Sequence, residues 1–156
     1  NFVSIYRGID SYMVAREITD SIWCPTTGRM KEEEKQMDIN HLDWLWWIDW
    51  MYELSKHKYG IQLGTAAAGT FNLNCAYLGI PCVGYNNVNT QRCHPDLSVD
   101  VGDVERAKIL MKKLKEDTDF YSECSKTAIQ KYNECFDEKV YIYTMKRIIQ
   151  KVISND

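Results

Sequence analysis

Residues 59–85 read YGIQLGTAAAGTFNLNCAYLGIPCVGY, and this stretch decides the fold. The run 59–63 is short and mostly apolar and is typical of a strand, as is 81–85. Between them, 71–78 has helical spacing and is followed by Gly79, a residue type that commonly ends helices. A strand, a helix and a strand in close succession predict a βαβ unit. Such a unit implies a parallel sheet with a right-handed crossover.

The residues before this unit continue the alternation of strands and helices. Residues 2–6 predict a first strand, 9–19 a helix and 21–24 a second strand. We expect a turn at 26–29, and the charged run 31–35 is expected to form a solvated loop or the start of a helix. The N-terminal part of the chain therefore adds two strands to the predicted sheet.

A cluster of tryptophans lies in the segment 43–56, which also predicts a helix. Trp46 and Trp50 fall on a different face of this helix from its main apolar stripe. We expect the cluster to pack in the core, with contact to another lobe as the alternative, because so many tryptophans are unfavourable in water. The apolar stripe consists of Trp44, Trp47, Ile48, Met51 and Leu54.

The last third of the chain predicts helices. Asp103 is a suitable N-cap for a helix over 104–115, a second helix spans 120–136, and a third starts at Glu138. The sequence therefore predicts an α/β domain with a Rossmann-like parallel sheet flanked by helices and a C-terminal helical tail. The face of the first of these helices that we expect to be buried consists of Ala107, Leu110, Met111 and Leu114.

Bulk properties narrow the classes of partner. The 156 residues carry a formal net charge of −3, so neither nucleic acid nor an anionic membrane is expected as a partner. No apolar run is long enough for a transmembrane segment, and no signal pattern opens the chain. The six cysteines have no zinc-ribbon spacing and are expected to be buried reduced thiols, which favours a cytoplasmic location. The three histidines lack metal-ligand spacing, so no metal is expected.

The segment 64–70 is the best candidate for chemistry. It follows a strand and precedes a helix, and in parallel sheets ligands bind beyond the carboxyl ends of the strands. Its small residues allow a phosphate to approach the backbone, while Thr65 and Thr70 offer hydroxyls. The alternative is that these small residues only allow the helix and the strand to pack closely.

A longer stretch, 67–84, resembles the donor-site segment of GT-B fold glycosyltransferases, in their C-terminal, nucleotide-sugar-binding lobe. Gly79-Ile80-Pro81 matches the Gly-x-Pro that opens the next strand in that family. The resemblance implies that the donor diphosphate is held by the backbone amides around Gly69, Thr70 and Phe71, together with Thr65. The acidic residue that contacts the ribose in the family falls at Asn74, so the ribose contact would be made by an uncharged amide.

The loop after the second strand of the unit approaches the sugar in that family. Asn89 and Gln91 are therefore candidates for sugar contacts, since amides pair well with hydroxyl groups. Arg92, and Arg7 after the first strand, are candidates for neutralising the diphosphate. The alternatives are an ordinary surface loop and ordinary surface arginines.

The resemblance implies a glycosyltransferase donor-binding domain that transfers a hexosyl or related group from a nucleotide sugar to an unknown acceptor. The catalytic base is expected in a missing N-terminal lobe, so the catalytic residues of this chain are unknown and the fragment alone is not expected to be fully active. We expect residues 1–135 to form the donor-binding lobe and 136–156 a helix that packs back on it or toward the missing lobe. No cofactor is expected. The alternatives are a non-catalytic nucleotide- or sugar-binding module and a nucleotide-sugar epimerase.

Overall fold

The computed structural model describes residues 2–5, 8–25, 32–64 and 70–154. Within these ranges six strands form one parallel sheet in the order β3-β2-β1-β4-β5-β6. Each neighbouring pair is parallel, as a sheet built from crossovers requires. The strands are β1 (Phe2–Ile5), β2 (Ile22–Pro25), β3 (Asn40–Leu42), β4 (His57–Gln62), β5 (Cys82–Tyr85) and β6 (Ser98–Val99).

Helices connect the strands and cover the sheet on both faces. The predicted βαβ unit is confirmed as β4-α3-β5, and the α/β fold with a helical tail is confirmed as a whole. Short 3₁₀ helices occupy Glu32–Gln36, Asn89–Cys93 and Pro95–Leu97. The α-helices are α1 (Ile9–Arg16), α2 (Trp47–Ser55), α3 (Thr70–Tyr77), α4 (Val104–Glu116), α5 (Thr118–Cys135) and α6 (Glu138–Ile153).

Two apolar layers hold the helices to the sheet. On one face α1 and α4 cover β4 and β5, and the predicted buried face of α4 is confirmed. Asp103 caps this helix, since its Oδ1 accepts a hydrogen bond from Arg106 N at 3.0 Å. On the other face α2 and α3 form a smaller layer that includes Leu54, Phe71 and Cys82.

The predicted core packing of the tryptophan cluster is wrong. Trp44, Trp47 and Ile48 are 56%, 61% and 78% exposed. Of the predicted stripe only Leu54 is fully buried, and the half-buried Trp50 packs against Phe71 from the other face of the helix. The reason is geometric: α2 starts at Trp47, four residues later than predicted, and it meets the sheet through its last turn.

The helical tail has an unusual environment. α6 contacts α5, and none of its side chains is buried. Most of its apolar residues form one exposed side, while Tyr143, Lys139, Lys146, Arg147 and Lys151 lie elsewhere on the helix. α5 ends at Cys135, but the division of the chain at 135/136 into two units stays a prediction. Among the described helices, none combines the length and the apolar character needed to cross a bilayer.

Gly79 ends α3. Its contribution to stability can be compared with that of Gly102, a second glycine with positive φ. Its φ is +68°, and Ile80 N donates back to Cys75 O at 2.8 Å, as in a Schellman motif. A Cβ at Gly79 would lie 2.9 Å from Ile129 Cδ1, whereas a Cβ at Gly102, with φ +88°, would meet nothing within 4 Å. We expect Gly102→Ala to lower the free energy of unfolding by about 1 kcal/mol through backbone strain alone. Gly79→Ala should lower it by about 2 kcal/mol, because the added Cβ would also lie 3.1 Å from Ser125 Oγ, which is held by its hydrogen bond to Gly79 O.

Urea unfolding of both variants measures these losses. Equal losses in the two variants would show that α5 yields to the added methyl group, and that α3 and α5 are packed less tightly than the structure indicates.

Candidate functional site

The strand order reverses at the centre of the sheet, and this reversal creates a crevice. From β1 the chain builds outward through β2 and β3, whereas β4, β5 and β6 lie on the other side. β1 and β4 are parallel, with a register shift between Phe2 and Val3 and with Ile5 opposite Ile61, so both strands leave the sheet at the same edge. In open α/β sheets the crevice beyond such neighbouring strand ends is where ligands bind.

Two side chains of α1 accept hydrogen bonds from residues at the ends of β4 and β5, next to this crevice. The buried Ser11 Oγ accepts a hydrogen bond from Leu63 N at 3.0 Å, which ties α1 to the residue that follows β4. Asp10, in the first turn of α1, accepts a hydrogen bond from the hydroxyl of the buried Tyr85 at 2.6 Å. Burial and the neighbouring Asp10 carboxylate raise the pKa of Tyr85 to about 12, so this hydroxyl remains a donor. The start of α1 is therefore fixed to the ends of both β4 and β5.

The start of α3 faces the same crevice. The first four N–H groups of an α-helix have no partner within the helix, and they carry its positive end. In α3 one of them is already used, because Asn72 N donates to Gln62 Oε1 at 3.3 Å. Thr70 is exposed, whereas the ring of Phe71 is buried against Trp50. Of the predicted diphosphate contacts, Thr70 and Phe71 thus open the helix, and a ligand could reach Phe71 only through its backbone.

Three predicted contacts, Thr65, Gly69 and Arg7, lie outside the described residues and stay predictions. By connectivity, Arg7 follows β1, and the other two join β4 to α3. All three therefore belong to the segments that leave the two strands flanking the crevice.

Asn74, the predicted ribose contact, is used inside the protein. In the amide orientation that satisfies both of its polar atoms, Nδ2 donates to Thr70 O at 3.0 Å and Oδ1 accepts from Trp50 Nε1 at 3.0 Å. The side chain is nearly buried and joins α2 to the first turn of α3. Its ribose contact stays a prediction, and a ribose would have to compete with two existing hydrogen bonds.

Gln91, a predicted sugar contact, lies in the interior and is only 1% exposed. Its Nε2 donates to Cys82 O at 3.0 Å and to Leu97 O at 3.3 Å, while its Oε1 accepts from Asn72 Nδ2 at 3.0 Å. Gly84 makes room for this amide, because a Cβ there would lie 2.3 Å from Gln91 Oε1. The structure therefore gives Gln91 a role in holding the loop, which the sequence did not indicate.

Asn89 and Arg92, the other two candidates of this loop, are exposed. The Arg92 guanidinium carbon lies 4.6 Å from the ring centroid of Phe136, at the end of α5. This cation–π contact orients the side chain and keeps its charge accessible. The structure thus places both residues on the surface of the loop that packs against α3.

Sequence reasoning missed a buried histidine next to α3. His94 is 2% exposed, and its Nε2 lies 3.0 Å from Asn72 O. A carbonyl can only accept, so Nε2 carries the proton and donates. Burial lowers the pKa of His94 to about 4, which keeps the ring neutral. In the part of the chain that the structure describes, no three His, Cys, Asp or Glu side chains are grouped so that they could hold a metal ion.

Comparison with solved structures identifies the architecture. HepE from Anabaena, in complex with UDP-glucose, matches with a TM-score of 0.72 and 11% identity, over 99% of this chain and 49% of HepE. TarM matches with a TM-score of 0.73 and 8% identity, over 94% of this chain and 34% of TarM. The fold is that of one lobe of a GT-B glycosyltransferase. The chain spans about half the length of HepE and about a third of TarM.

A further structural neighbour is the UDP-GlcNAc 2-epimerase from Neisseria meningitidis, bound to UDP-GlcNAc. It matches with a TM-score of 0.60 and 10% identity, over 80% of this chain and 38% of the epimerase. No protein-family model matches the sequence, and a search of curated proteins found no match. Identities this low show a shared fold and leave the activity to be argued from the site.

The burial of His94 predicts that stability depends on pH. Because the folded pKa lies below that of an unfolded histidine, the unfolded state takes up the proton first as the pH falls. The stabilisation is complete above about pH 6.5 and is lost progressively toward pH 4. We expect the free energy of unfolding to drop by about 2 kcal/mol more in the wild type than in His94→Gln between about pH 7 and pH 5.

Urea unfolding at several pH values provides the measurement. The slope that persists in the variant reports the remaining groups, including His57, whose pKa is also lowered by burial. Identical slopes in the two proteins would mean that His94 is accessible to protons in the folded state.

Proposed function

We propose that this chain is the donor-binding lobe of a glycosyltransferase, which transfers a sugar from a nucleotide sugar to an acceptor. The observation that carries the proposal is the crevice between the ends of β1 and β4, with the start of α3 on one side of it. A helix start offers unpaired N–H groups and a positive potential, and both suit a diphosphate. Structural neighbours bound to UDP-glucose and UDP-GlcNAc support this ligand class.

The chemistry requires a group that accepts growing negative charge. When the bond between the anomeric carbon and the diphosphate oxygen breaks, the leaving diphosphate gains charge, and donors aimed at it lower the barrier. We assign this role to the backbone amides of Gly69, Thr70 and Phe71, to the Thr65 hydroxyl and to Arg7. Arg92 is a further candidate for neutralising the diphosphate, Asn89 extends the site toward the sugar, and Asn74 lies where the family places its ribose contact. Because these donors supply the charge stabilisation, the proposal includes no metal or other cofactor.

A second lobe completes the proposal. The chain spans about half of HepE, and in the GT-B family the catalytic base and the acceptor site belong to the other lobe. Two apolar surfaces are available for such a lobe: the side of α6 and the tryptophans around the start of α2. Exposed apolar patches of this kind mark interaction surfaces. Five described cysteines are free thiols, which supports a reducing, cytoplasmic setting for the whole protein.

Two other functions fit the same lobe. An epimerase is favoured by the structural match to the Neisseria enzyme, and a non-catalytic binding module would need only the crevice. Product analysis with a nucleotide sugar separates them. Sugar transfer that requires an acceptor supports the transferase, a new nucleotide sugar formed without acceptor supports the epimerase, and binding without turnover in the complete protein supports the module.

Binding to the crevice can be tested with Gly69→Val. A bulky side chain beside the start of α3 should block the approach of a diphosphate and leave the fold intact. In calorimetric titrations with UDP-, GDP-, ADP- and dTDP-linked sugars, we expect the wild type to bind one nucleotide family. The variant should bind at least about 100-fold more weakly, a loss of about 3 kcal/mol.

The thermal midpoint without ligand shows whether Gly69→Val is folded. As a matched control, Thr144→Val places the same side chain on α6, where the position is exposed and far from the crevice in the sequence. Its affinity should equal that of the wild type. Unchanged affinity in Gly69→Val would remove this segment from the proposed site.

The role of α6 can be tested by placing a charge on its apolar side. Ile149 is half-exposed, so Ile149→Lys should change the free energy of unfolding of this chain by less than about 0.5 kcal/mol. In a longer protein that carries a second lobe, the same substitution should lower the thermal midpoint, because it would bury a charge at the interface. A loss of several kcal/mol in this chain alone would show that α6 packs back on its own lobe.

A further inference from the structure

One side chain of α3 makes two hydrogen bonds to the loop over 86–94, and Cys93 of that loop also packs against Ala76 of α3. Asn72, in the first turn of α3, is 1% exposed and uses all of its polar groups. Its Nδ2 donates to Gln91 Oε1 at 3.0 Å, and its Oδ1 accepts from Thr90 Oγ1 at 2.9 Å. Its backbone N donates to Gln62 Oε1 at 3.3 Å, and its backbone O accepts from His94 Nε2 at 3.0 Å. Asn72 therefore links β4, α3 and the loop.

The hydrogen bonds of the Asn72 side chain are made next to the exposed residues of the loop. Gln91 has further bonds to Cys82 O and Leu97 O, whereas the hydrogen bond to Asn72 anchors the Thr90 side chain. Thr90 lies directly between Asn89, which is exposed, and the buried Gln91. Arg92 follows on the surface. Groups held in place before a ligand arrives lose less entropy on binding, so an anchored loop binds more tightly than a free one.

We propose that Asn72 is a positioning residue that sets Asn89 against the sugar of a nucleotide sugar bound at the start of α3. The inference rests on the proposed function and adds a residue that touches no ligand. Its consequence is specific. The loop contributes to the affinity for the sugar-bearing ligand, and Asn72 controls that contribution, while the affinity for the bare nucleoside diphosphate depends on α3 itself.

The polarity of this position supports the assignment. A buried amide is unfavourable unless it is fully paired, and an apolar side chain would fill the same space at lower cost. Each polar group of Asn72 has a hydrogen-bond partner. Because these bonds are directional, they stabilise one position of the loop relative to α3 over others. Gly84 fits this view, because any Cβ there would collide with the Gln91 amide that Asn72 holds.

The test compares two ligands in two variants. Asn72→Leu removes both side-chain bonds with little change in volume, and the isosteric Thr90→Val removes only the bond to Asn72 Oδ1. Calorimetry gives the Kd of UDP and of UDP-glucose, or of the corresponding pair if another nucleotide binds. For Asn72→Leu we expect the nucleotide sugar to bind about tenfold more weakly and the diphosphate less than about threefold more weakly. Thr90→Val should show about a threefold loss for the nucleotide sugar alone.

A control variant separates positioning from general destabilisation. Leu110→Ala opens a cavity under α4, on the other face of the sheet, and touches none of these residues. Both of its affinities should match the wild type. Amide hydrogen exchange in the ligand-free protein adds a second readout: residues 89–93 should exchange about tenfold faster in Asn72→Leu and Thr90→Val, with α4 unchanged.

The outcomes are distinguishable. If Asn72→Leu does not fold, Thr90→Val still decides the question. Equal losses for diphosphate and nucleotide sugar, or no loss for either, would overturn the positioning role and leave the donor site standing. Failure of the wild type to bind any nucleotide would overturn the proposed function and this inference with it.

Discussion

The parallel pairing of β1 with β4 is the constraint on which the rest of the structure depends. β1 has β2 on one side and β4 on the other, so the strand order reverses beside it. Parallel neighbours end at the same edge, and the chain must leave both strands there to begin α1 and α3. The Ser11 hydrogen bond to Leu63 N fixes this arrangement from α1.

Beneath α3 an apolar cluster that includes Phe71 and Cys82 adjoins a group of buried polar side chains, and this distinguishes it from the layer under α4. Gln62, Asn72, Gln91 and His94 are all buried, whereas α4 covers the sheet with Leu110, Met111 and Leu114. Buried polar groups contribute less to the free energy of unfolding than apolar groups of the same volume. Because each of them needs a hydrogen-bond partner, they can be packed in far fewer ways. The side of the sheet that offers the ligand site is therefore the side on which geometry is specified most closely. The other side provides most of the hydrophobic stabilisation.

The sequence was informative where the signal is local. The βαβ unit and α4 were predicted because run lengths, Gly79 and Asp103 mark their ends within a few residues. β3 and β6 were missed because they have three and two residues, too few to show a period. Gln91 is a candidate for a sugar contact from the sequence because an amide in a loop resembles a binding group. In the structure its buried amide bonds Asn72, 19 residues away, and no local pattern reports such a contact. Asn72 is a polar residue within the predicted helix 71–78, and no neighbouring residue indicates that its side chain is buried.

Apolar periodicity shows which side of a helix is apolar, and packing decides whether that side is covered. α4 and α6 both have an apolar side, yet that of α4 is buried and that of α6 is exposed. The difference lies in the sheet: α1 and α4 already cover one face, α2 and α3 the other, so α6 has no strand to cover. The same reasoning applies to Trp44 and Trp47, which precede the turn of α2 that reaches the core. Apolar area left over in this way is area available for an interface, and this is why a second lobe is part of the function we propose.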